Sequence, residues 1–261
     1  MTGAAFLSLL QVLLLVGSLL TTIKLSVSGL YKNYPIFFCY LISRIVNSLW
    51  PLLLNNRSTT YFWFYVCTFP IVLGFYVLLV LELYRLVLKD YRGLQTVGRW
   101  AMYASVIGSA IISILSLIPR IQASMPYKSR VIRYILAGER GIDLALLVFI
   151  ILLLAILSRY PIQLRRNVRI HAIVYSIFFF SNTMEALART VLGLKLGDTL
   201  NTINAVVSLC SMLSWLILLS PAGEKMGERK PAADSEHERR LMIQLEGLNL
   251  ALLRVSRQKI G

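Results

Sequence analysis

Charged residues are scarce in this sequence. Asp, Glu, Lys and Arg make up 15% of its 261 residues, whereas they make up about 25% of an ordinary soluble domain. Apolar residues reach 57%, the mean hydropathy is +0.70, and several separate apolar runs are long enough to cross a bilayer. This composition excludes a disordered chain, a collagen and a disulfide-stabilised secreted domain, and it predicts a polytopic membrane protein.

Cysteine and histidine are also scarce. The three cysteines, Cys39, Cys67 and Cys210, lie on different apolar runs and match no zinc or redox spacing, so we expect unpaired, buried, apolar side chains. One of the two histidines, His171, lies at the start of an apolar run, where we expect it to form a hydrogen bond or to contact a lipid headgroup. The sequence therefore predicts no metal site and no cofactor.

Recognisable catalytic motifs are missing as well. The sequence has no Gly-rich phosphate loop, no His-Glu-x-x-His and no pair of intramembrane aspartates. The small residues Gly108-Ser109-Ala110 do not form a nucleophile elbow and instead favour close helix packing. The last apolar run lacks the lysine that a retinal protein of the microbial type needs. We therefore do not expect an enzyme.

Acidic residues are far outnumbered by basic ones, 12 against 27, which gives a net charge of +15. Most basic residues lie in short connections between apolar runs. There they orient the chain and contact the anionic headgroups of the bilayer, so we expect a lipid partner and no nucleic acid.

The apolar runs predict an all-α membrane protein with a seven-transmembrane-helix bundle over residues 1–220. The runs cover residues 4–22, 36–54, 63–88, 96–118, 139–157, 170–192 and 200–220. The fifth run is short of a full span unless Glu139, Arg140 and Asp143 enter the membrane with it.

The distribution of basic residues predicts the orientation of the chain. No basic residue precedes the first run, whereas Lys24 and Lys32 follow it, so the N-terminus should lie outside. The first run also lacks a cleavage site, so we expect a retained helix. Seven spans then place the C-terminus in the cytoplasm, and we expect a multi-pass protein of the plasma or inner membrane.

A polar linker over residues 221–234 and an amphipathic tail helix over residues 235–258 follow the last run. Ser235 and Glu238 form a capping box, which predicts the start of this helix. A stripe of apolar residues follows at spacings of three and four: Leu241, Leu245, Leu248, Leu252 and Val255. The stripe covers only about two heptads. It fits a short coiled coil that binds a partner or a second copy, or equally a helix lying on the inner leaflet.

Arg44 is the most conspicuous ionisable residue within an apolar run. A charged group at the centre of a span costs about 2.5–3.5 kcal/mol on insertion scales, so Arg44 needs a partner or a purpose. Asn47 lies one turn away on the same helical face. The functional interpretation is an anion-binding or charge-relay residue. The structural interpretation is a salt bridge to another helix.

A second group of polar residues lies in the predicted outer half of the last three spans. If consecutive helices are neighbours, these residues line an outward-facing cleft that binds a small polar or cationic ligand, or protons. Alternatively, they pair with one another and specify helix packing. The group consists of Glu139, Arg140, Asp143, Asn182, Glu185, Arg189, Asn201 and Asn204.

Two basic connections carry a family resemblance. The chain resembles uncharacterised bacterial seven-helix membrane proteins in Tyr91-Arg92-Gly93-Leu94-Gln95 with Gly98-Arg99-Trp100, and in Arg159-Tyr160-Pro161-Ile162-Gln163-Leu164 with Asn167 and His171. This resemblance implies no activity. The layout is also similar to the sensory modules of bacterial histidine kinases, but no ATP-binding domain follows, and we expect His237 to be a solvated residue at a helix start.

These observations leave two functional hypotheses. The first is a non-enzymatic sensor or adaptor in which a polar cleft binds a small ligand and the tail helix passes the change to a cytosolic partner. The alternative is a small secondary transporter or channel subunit that uses Arg44 and the group of Glu139, Asp143 and Glu185. The absence of an evident inverted repeat disfavours this alternative.

Overall fold

The computed structural model describes residues 3–53, 59–89, 91–115, 126–159, 164–192, 197–225, 240, 243–247 and 249–252. Within these ranges the chain is helical and contains no strand. The seven long helices of this part of the chain are α1 (Gly3–Val27), α2 (Pro35–Leu53), α3 (Thr59–Val87), α4 (Arg92–Leu115), α5 (Tyr127–Arg159), α6 (Arg166–Leu192) and α7 (Gly197–Leu218). Two short 3-10 helices, Leu30–Lys32 and Pro221–Glu224, follow α1 and α7.

Four of the described helices are long and apolar enough to cross a membrane. These stretches are Phe6–Val27, Thr59–Val87, Arg130–Ser158 and Thr199–Leu218. In α2 the apolar stretch Pro35–Leu49 is shorter. The outer faces of the helices carry large apolar side chains, among them Ile112 and Ile217, which are 69% and 70% exposed. Such a surface is compatible with a membrane location.

Each long helix begins before the apolar run that predicted it. The largest difference is in α5, which spans Tyr127–Arg159 instead of residues 139–157. Glu139, Arg140 and Asp143 therefore lie well inside a helix of 33 residues. A helix satisfies its own backbone hydrogen bonds, so it can continue past the end of the apolar sequence into polar flanks.

Each long helix packs against the next one along the chain, and α3 also packs against α5 and α6. Helix α1 contacts α2 and α7, and α3 contacts α2, α4, α5 and α6. Helices α5 and α6, and α6 and α7, are also in contact. Helices α4 and α5 approach closely, since a Cβ atom on Gly141 would lie 2.5 Å from the Ser109 carbonyl oxygen. The lack of a side chain at Gly141 thus permits this packing.

One end of the molecule, which we name the tail end, contains the ends of α1, α3 and α7 and the starts of α2, α4 and α6. There the Lys24 ammonium donates to the Leu216 carbonyl near the end of α7, and the Tyr84 hydroxyl of α3 donates to the Leu94 carbonyl of α4 (2.6 Å). The Glu82 carboxylate of α3 accepts hydrogen bonds from the backbone of Ile36 (2.9 Å) in the first turn of α2. These contacts fix the helix ends in place.

The described part of the tail is helical and packs against the tail end. Leu245 is 1% exposed and belongs to the main apolar core. The Asn249 side-chain oxygen accepts hydrogen bonds from the backbone N–H groups of Gly93 (2.7 Å) and Leu94 (3.4 Å), at the start of α4. Leu252 is half-buried. Three members of the predicted stripe lie outside the described residues: Leu241, Leu248 and Val255.

Two expectations from the sequence change here. Residues 221–224, the first four of the predicted polar linker, form a 3-10 helix on the protein instead. The three cysteines are free, but they are exposed rather than buried, so that expectation is wrong. A small apolar side chain on the outer face of a helix stays in apolar surroundings if that face meets lipid, which explains why burial in the protein is unnecessary.

Candidate functional site

A cavity of about 350 Å³ lies between α1, α2, α3, α5, α6 and α7. It occupies the half of the molecule away from the tail end. We name it the Arg44 cavity, because Arg44 is the basic residue in its lining. Its other polar lining residues are Gln11, Tyr40, Ser43, Asn47, Ser48, Tyr76, Glu139, Asn182, Asn204 and Ser208.

Arg44 lines this cavity with a guanidinium group for which the described residues supply one side-chain hydrogen-bond acceptor. The Nη1 atom donates a 2.7 Å hydrogen bond to the hydroxyl of Tyr40, one turn earlier on α2. Among the described residues Arg44 has no ion pair, so the salt bridge to another helix considered from the sequence is not present there. A guanidinium has five N–H donors in a planar fork, which suits a carboxylate or phosphate.

Amide and hydroxyl groups surround the guanidinium. The Asn47 amide donates to the Ser43 hydroxyl (3.4 Å), and the Ser181 hydroxyl donates to the Asn204 amide oxygen (3.1 Å). Each of these amides keeps further donors or acceptors, because an Asn side chain offers two N–H donors and an oxygen with two lone pairs. The lining can therefore hold the neutral polar groups of a ligand whose anionic group meets Arg44.

Five residues predicted from the sequence meet in the Arg44 cavity: Arg44, Asn47, Glu139, Asn182 and Asn204. Four others do not line it: Arg140, Asp143, Glu185 and Asn201. Asn201 is exposed, and the Arg189 side chain lies outside the described part of the structure. The cavity is also wider than a cleft between α5, α6 and α7, because α1, α2 and α3 contribute to it.

Asp143 lies one turn from the cavity residue Glu139 on α5, near a second carboxylate, that of Glu185. Its side chain is 1% exposed, and its Oδ1 atom has no hydrogen-bond partner among the described residues. Glu139 and Glu185 are close enough for their charges to act on it. Arg140 and Glu185, which are half-buried, have interactions of their own. A buried carboxyl group with an unsatisfied oxygen is costly, so it is unusual in a purely structural role.

Sequence reasoning missed several lining residues. Gln11 is an amide in the middle of the first apolar run, and Ser208 is a hydroxyl in the last, so both carried a weak polar signal. Tyr40 and Tyr76 carried none, because a tyrosine in an apolar run is indistinguishable from an ordinary core aromatic. Only the packing of α2 against α3 brings their rings within 5.9 Å of each other.

A chain of aromatic contacts joins the Arg44 cavity to the tail end. Tyr40 of the cavity contacts Phe37, with ring centroids 6.5 Å apart. Phe37 contacts His171 of α6 at 4.8 Å, and His171 contacts Tyr34 at 4.6 Å. Phe37, Tyr40, His171 and Tyr34 are all buried. The Arg44 cavity and the tail end are therefore connected by contiguous packed side chains.

His171 differs from the expectation that it would form a hydrogen bond or contact a headgroup. The side chain is 2% exposed, and neither ring nitrogen has a hydrogen-bond partner among the described residues. Helix α6 begins at Arg166, so His171 lies a full turn inside it. There it packs among aromatic rings, including Tyr175 and Trp215 at 5.5 and 6.2 Å.

Glu224 forms the polar end of this contact chain. Its carboxylate accepts hydrogen bonds from the Tyr34 hydroxyl (2.6 Å) and the Asn167 amide (2.6 Å), and it pairs with Arg165 (3.1 Å). Asn167 also donates to the Ser220 carbonyl (2.8 Å). We name Tyr34, Arg165, Asn167 and Glu224 the Glu224 cluster. Burial, together with the hydrogen bond to Glu224 and its charge, raises the pKa of the Tyr34 hydroxyl well above its ordinary value.

The described residues include no group of three His, Cys, Asp or Glu side chains that could hold a metal ion. The residues described in the lining of the Arg44 cavity instead combine one guanidinium, one carboxylate and several neutral polar groups. This set suits reversible binding of a small anionic or zwitterionic molecule. Comparison with protein families, with curated proteins and with solved structures finds no match for this chain.

Proposed function

We propose that this protein is a non-enzymatic membrane sensor or adaptor. In this proposal the Arg44 cavity binds a small molecule with a carboxylate or phosphate group, and binding changes the docking of the tail helix. A cytosolic partner, or a second copy of the chain, then recognises the change in the docking of the tail helix.

The proposal includes a topology. All seven long helices cross the membrane, the N-terminus lies outside, and the tail lies in the cytoplasm next to anionic headgroups. The basic residues near the tail end support this orientation. The Arg44 cavity then opens toward the outer half of the membrane. Reporter proteins fused ahead of Met1 and after Gly261 test it: they must report opposite sides, and reports from the same side would contradict it.

One observation carries the proposal: the guanidinium of Arg44 faces a polar cavity without an ion-pair partner among the described residues. An arginine within an apolar helix is expensive, and a purely structural arginine would be paired with an acid. An anionic ligand supplies the missing charge. The amides of Asn47, Asn182 and Asn204 provide the hydrogen bonds that distinguish one anion from another.

The second step is communication with the tail. The aromatic contacts from Tyr40 to Tyr34 support it, because a change in the ring positions around Arg44 is passed by packing to the Glu224 cluster. Glu224 ends the 3-10 helix that follows α7, the last long helix before the tail. A ligand shifts the tail only to the extent that it binds one arrangement of these rings more tightly than the other.

A ligand screen with matched variants tests the function. The full chain is reconstituted in nanodiscs, and its thermal unfolding is followed with a panel of small carboxylates, amino acids and phosphate esters. We expect at least one compound to raise the unfolding temperature of the natural chain and to lose its effect in Arg44→Gln. The control Arg133→Gln, at an exposed position of α5, must keep the effect. If each compound raises the unfolding temperature of Arg44→Gln and Arg133→Gln equally, the proposed site is wrong.

Crosslinking tests the adaptor step. In intact membranes the full chain should yield a crosslinked partner or dimer that depends on the tail, while deletion of residues 235–261 leaves the helical part folded. If no crosslinked product depends on the tail, the adaptor role is wrong.

The buried carboxylates favour a second candidate function, a small transporter or channel subunit. Asp143 lies one turn from the cavity residue Glu139, its Oδ1 atom has no hydrogen-bond partner in the described part of the chain, and the charges of Glu139 and Glu185 act on it. Such a cluster can exchange protons during substrate transport. Substrate or proton flux in proteoliposomes that disappears in Glu185→Gln would favour transport over sensing.

A further inference from the structure

A second cavity, of about 500 Å³, lies at the tail end between the first 3-10 helix, α2, α3 and α4. We name it the Arg85 cavity. None of the described residues that line it also lines the Arg44 cavity. The Tyr84 hydroxyl bonds to Leu94, and a Cβ atom on Gly98 would overlap this hydroxyl. These contacts hold α3 and α4 at a fixed separation, so the cavity is built into the fold.

The Arg85 cavity is strongly basic. Lys32, Arg85 and Arg99 contribute cations to its lining from three different elements. They are exposed at the cavity, and within the described part of the chain none of them forms an ion pair.

Among the described residues of the lining, the one carboxylate is that of Glu82, and it is already engaged. Its two oxygens accept hydrogen bonds from the backbone of Ile36 (2.9 Å) and Phe37 (3.0 Å) at the start of α2. The partial positive charge of a helix start offsets part of its charge. The cavity therefore keeps an excess of positive charge that Glu82 does not neutralise.

Apolar residues continue the cavity onto the outer surface of the helices. Leu81 and Leu86 line its wall, and Leu78 of α3 and Tyr103 of α4 are 43% and 38% exposed at its side. A site with cations at one end and an apolar exit at the other matches the two parts of a phospholipid, a charged headgroup and an acyl chain. A soluble phosphate compound would use only the first part.

We propose that the Arg85 cavity binds the phosphate group of an anionic phospholipid through Lys32, Arg85 and Arg99, with an acyl chain along Leu78 and Tyr103. This inference is independent of what the Arg44 cavity binds, and it rests only on the membrane location. Arginine suits the phosphate because it forms two parallel hydrogen bonds to phosphate oxygens. Such a lipid would tie α3 and α4 to the headgroup region next to the tail.

The test titrates the full chain in a neutral detergent with three probes and measures occupancy by native mass spectrometry. The probes are short-chain phosphatidylglycerol, short-chain phosphatidylcholine and inorganic phosphate. Arg85→Gln/Arg99→Gln removes two cations from the cavity. Arg166→Gln/Arg169→Gln, at exposed positions at the start of α6, is the matched control with the same change of charge at the same end.

We expect the cavity variant to bind phosphatidylglycerol at least tenfold more weakly, which corresponds to about 1.4 kcal/mol, and the control to change less than twofold. If the cavity variant elutes as an aggregate, Lys32→Gln, at an exposed position, replaces it, and the same direction of change is expected. Binding of inorganic phosphate as tight as that of the lipid, and equally dependent on Arg85 and Arg99, would support the phosphate chemistry with a soluble compound as its source. Unchanged phosphatidylglycerol binding in the cavity variant would overturn the proposal, as would equal binding of phosphatidylcholine.

Discussion

The Tyr34 hydroxyl donates a 2.6 Å hydrogen bond to the Glu224 carboxylate across 190 residues of sequence. It joins the residue before α2 to the 3-10 helix that follows α7. The same carboxylate binds Arg165 and Asn167 at the start of α6. Three distant parts of the chain therefore meet at one acidic side chain, and the contact chain from the Arg44 cavity ends there.

Removal of the Tyr34 hydroxyl should destabilise the protein. In Tyr34→Phe the ring stays and the hydrogen bond to the charged Glu224 is lost, which costs about 1.5 kcal/mol. We expect a lower unfolding temperature in detergent. Tyr31→Phe is the control, because the Tyr31 ring lies in the same loop and is 38% exposed. A decrease of the same size in both variants would show that the hydrogen bond does not contribute.

The raised pKa of Tyr34 predicts a loss of stability at alkaline pH. In the unfolded chain a tyrosine loses its proton near pH 10, whereas the folded protein holds the Tyr34 proton to higher pH. Above about pH 10 the unfolded state therefore binds fewer protons, and the free energy of unfolding falls as pH rises. Unfolding curves of the natural chain and Tyr34→Phe from pH 8 to 11 should converge, because the variant lacks this proton. If the stabilities of the two proteins change in parallel with pH, the pKa of Tyr34 is not raised in the folded protein.

Gly223 should not tolerate a side chain. A Cβ atom at this position would overlap the amide oxygen of Asn167, which is held by the backbone of Ser220. Gly223→Ala must therefore displace Asn167 and weaken its hydrogen bond to Glu224, and we expect lower stability and a faster loss of the Glu224 cluster on heating. In Gly74→Ala, where a Cβ atom meets nothing within 4 Å, stability should stay the same or rise slightly.

Docking of the tail depends on Leu245 and Asn249. Leu245→Ala removes a side chain that is 1% exposed, and such truncations cost about 2–5 kcal/mol. Asn249→Ala removes the acceptor for Gly93 and Leu94, and loss of a helix cap costs about 1 kcal/mol. Both substitutions should speed amide hydrogen exchange over residues 243–252, and the increase should be larger in Leu245→Ala than in Asn249→Ala. Ile243→Ala is the control, because the Ile243 side chain is 59% exposed. In this variant the tail should exchange its amide hydrogens at the rate of the natural chain. If exchange is as fast in Ile243→Ala as in Leu245→Ala, the tail is not docked through Leu245.

The helical fold could be predicted from the sequence because apolar length alone requires helices in a lipid solvent. The helix ends were less accurate, since residues 127–138 continue α5 although basic residues interrupt their apolar pattern. Four described helices are apolar and long enough to cross a membrane, and the seven-span topology goes beyond that finding.

The candidate site was only partly accessible from the sequence. Arg44, Glu139 and Asn182 stood out because charged and amide groups are costly in apolar runs. That they share one cavity depends on how α2 packs beside α3 and α6, which no local pattern encodes. The role of Glu224 could not be predicted for a different reason. The residues around it have the composition of a polar linker, and its partners Tyr34 and Asn167 are far away in sequence.

The most direct test of the central claim, that the Arg44 cavity controls the tail, is hydrogen exchange of the tail with the cavity occupied. Amide exchange over residues 243–252 is measured in nanodiscs with and without a saturating compound that stabilises the protein through Arg44. The account predicts that exchange in the tail changes at least threefold in the natural chain and does not change in Arg44→Gln. Identical exchange with and without the compound in the natural chain would contradict it.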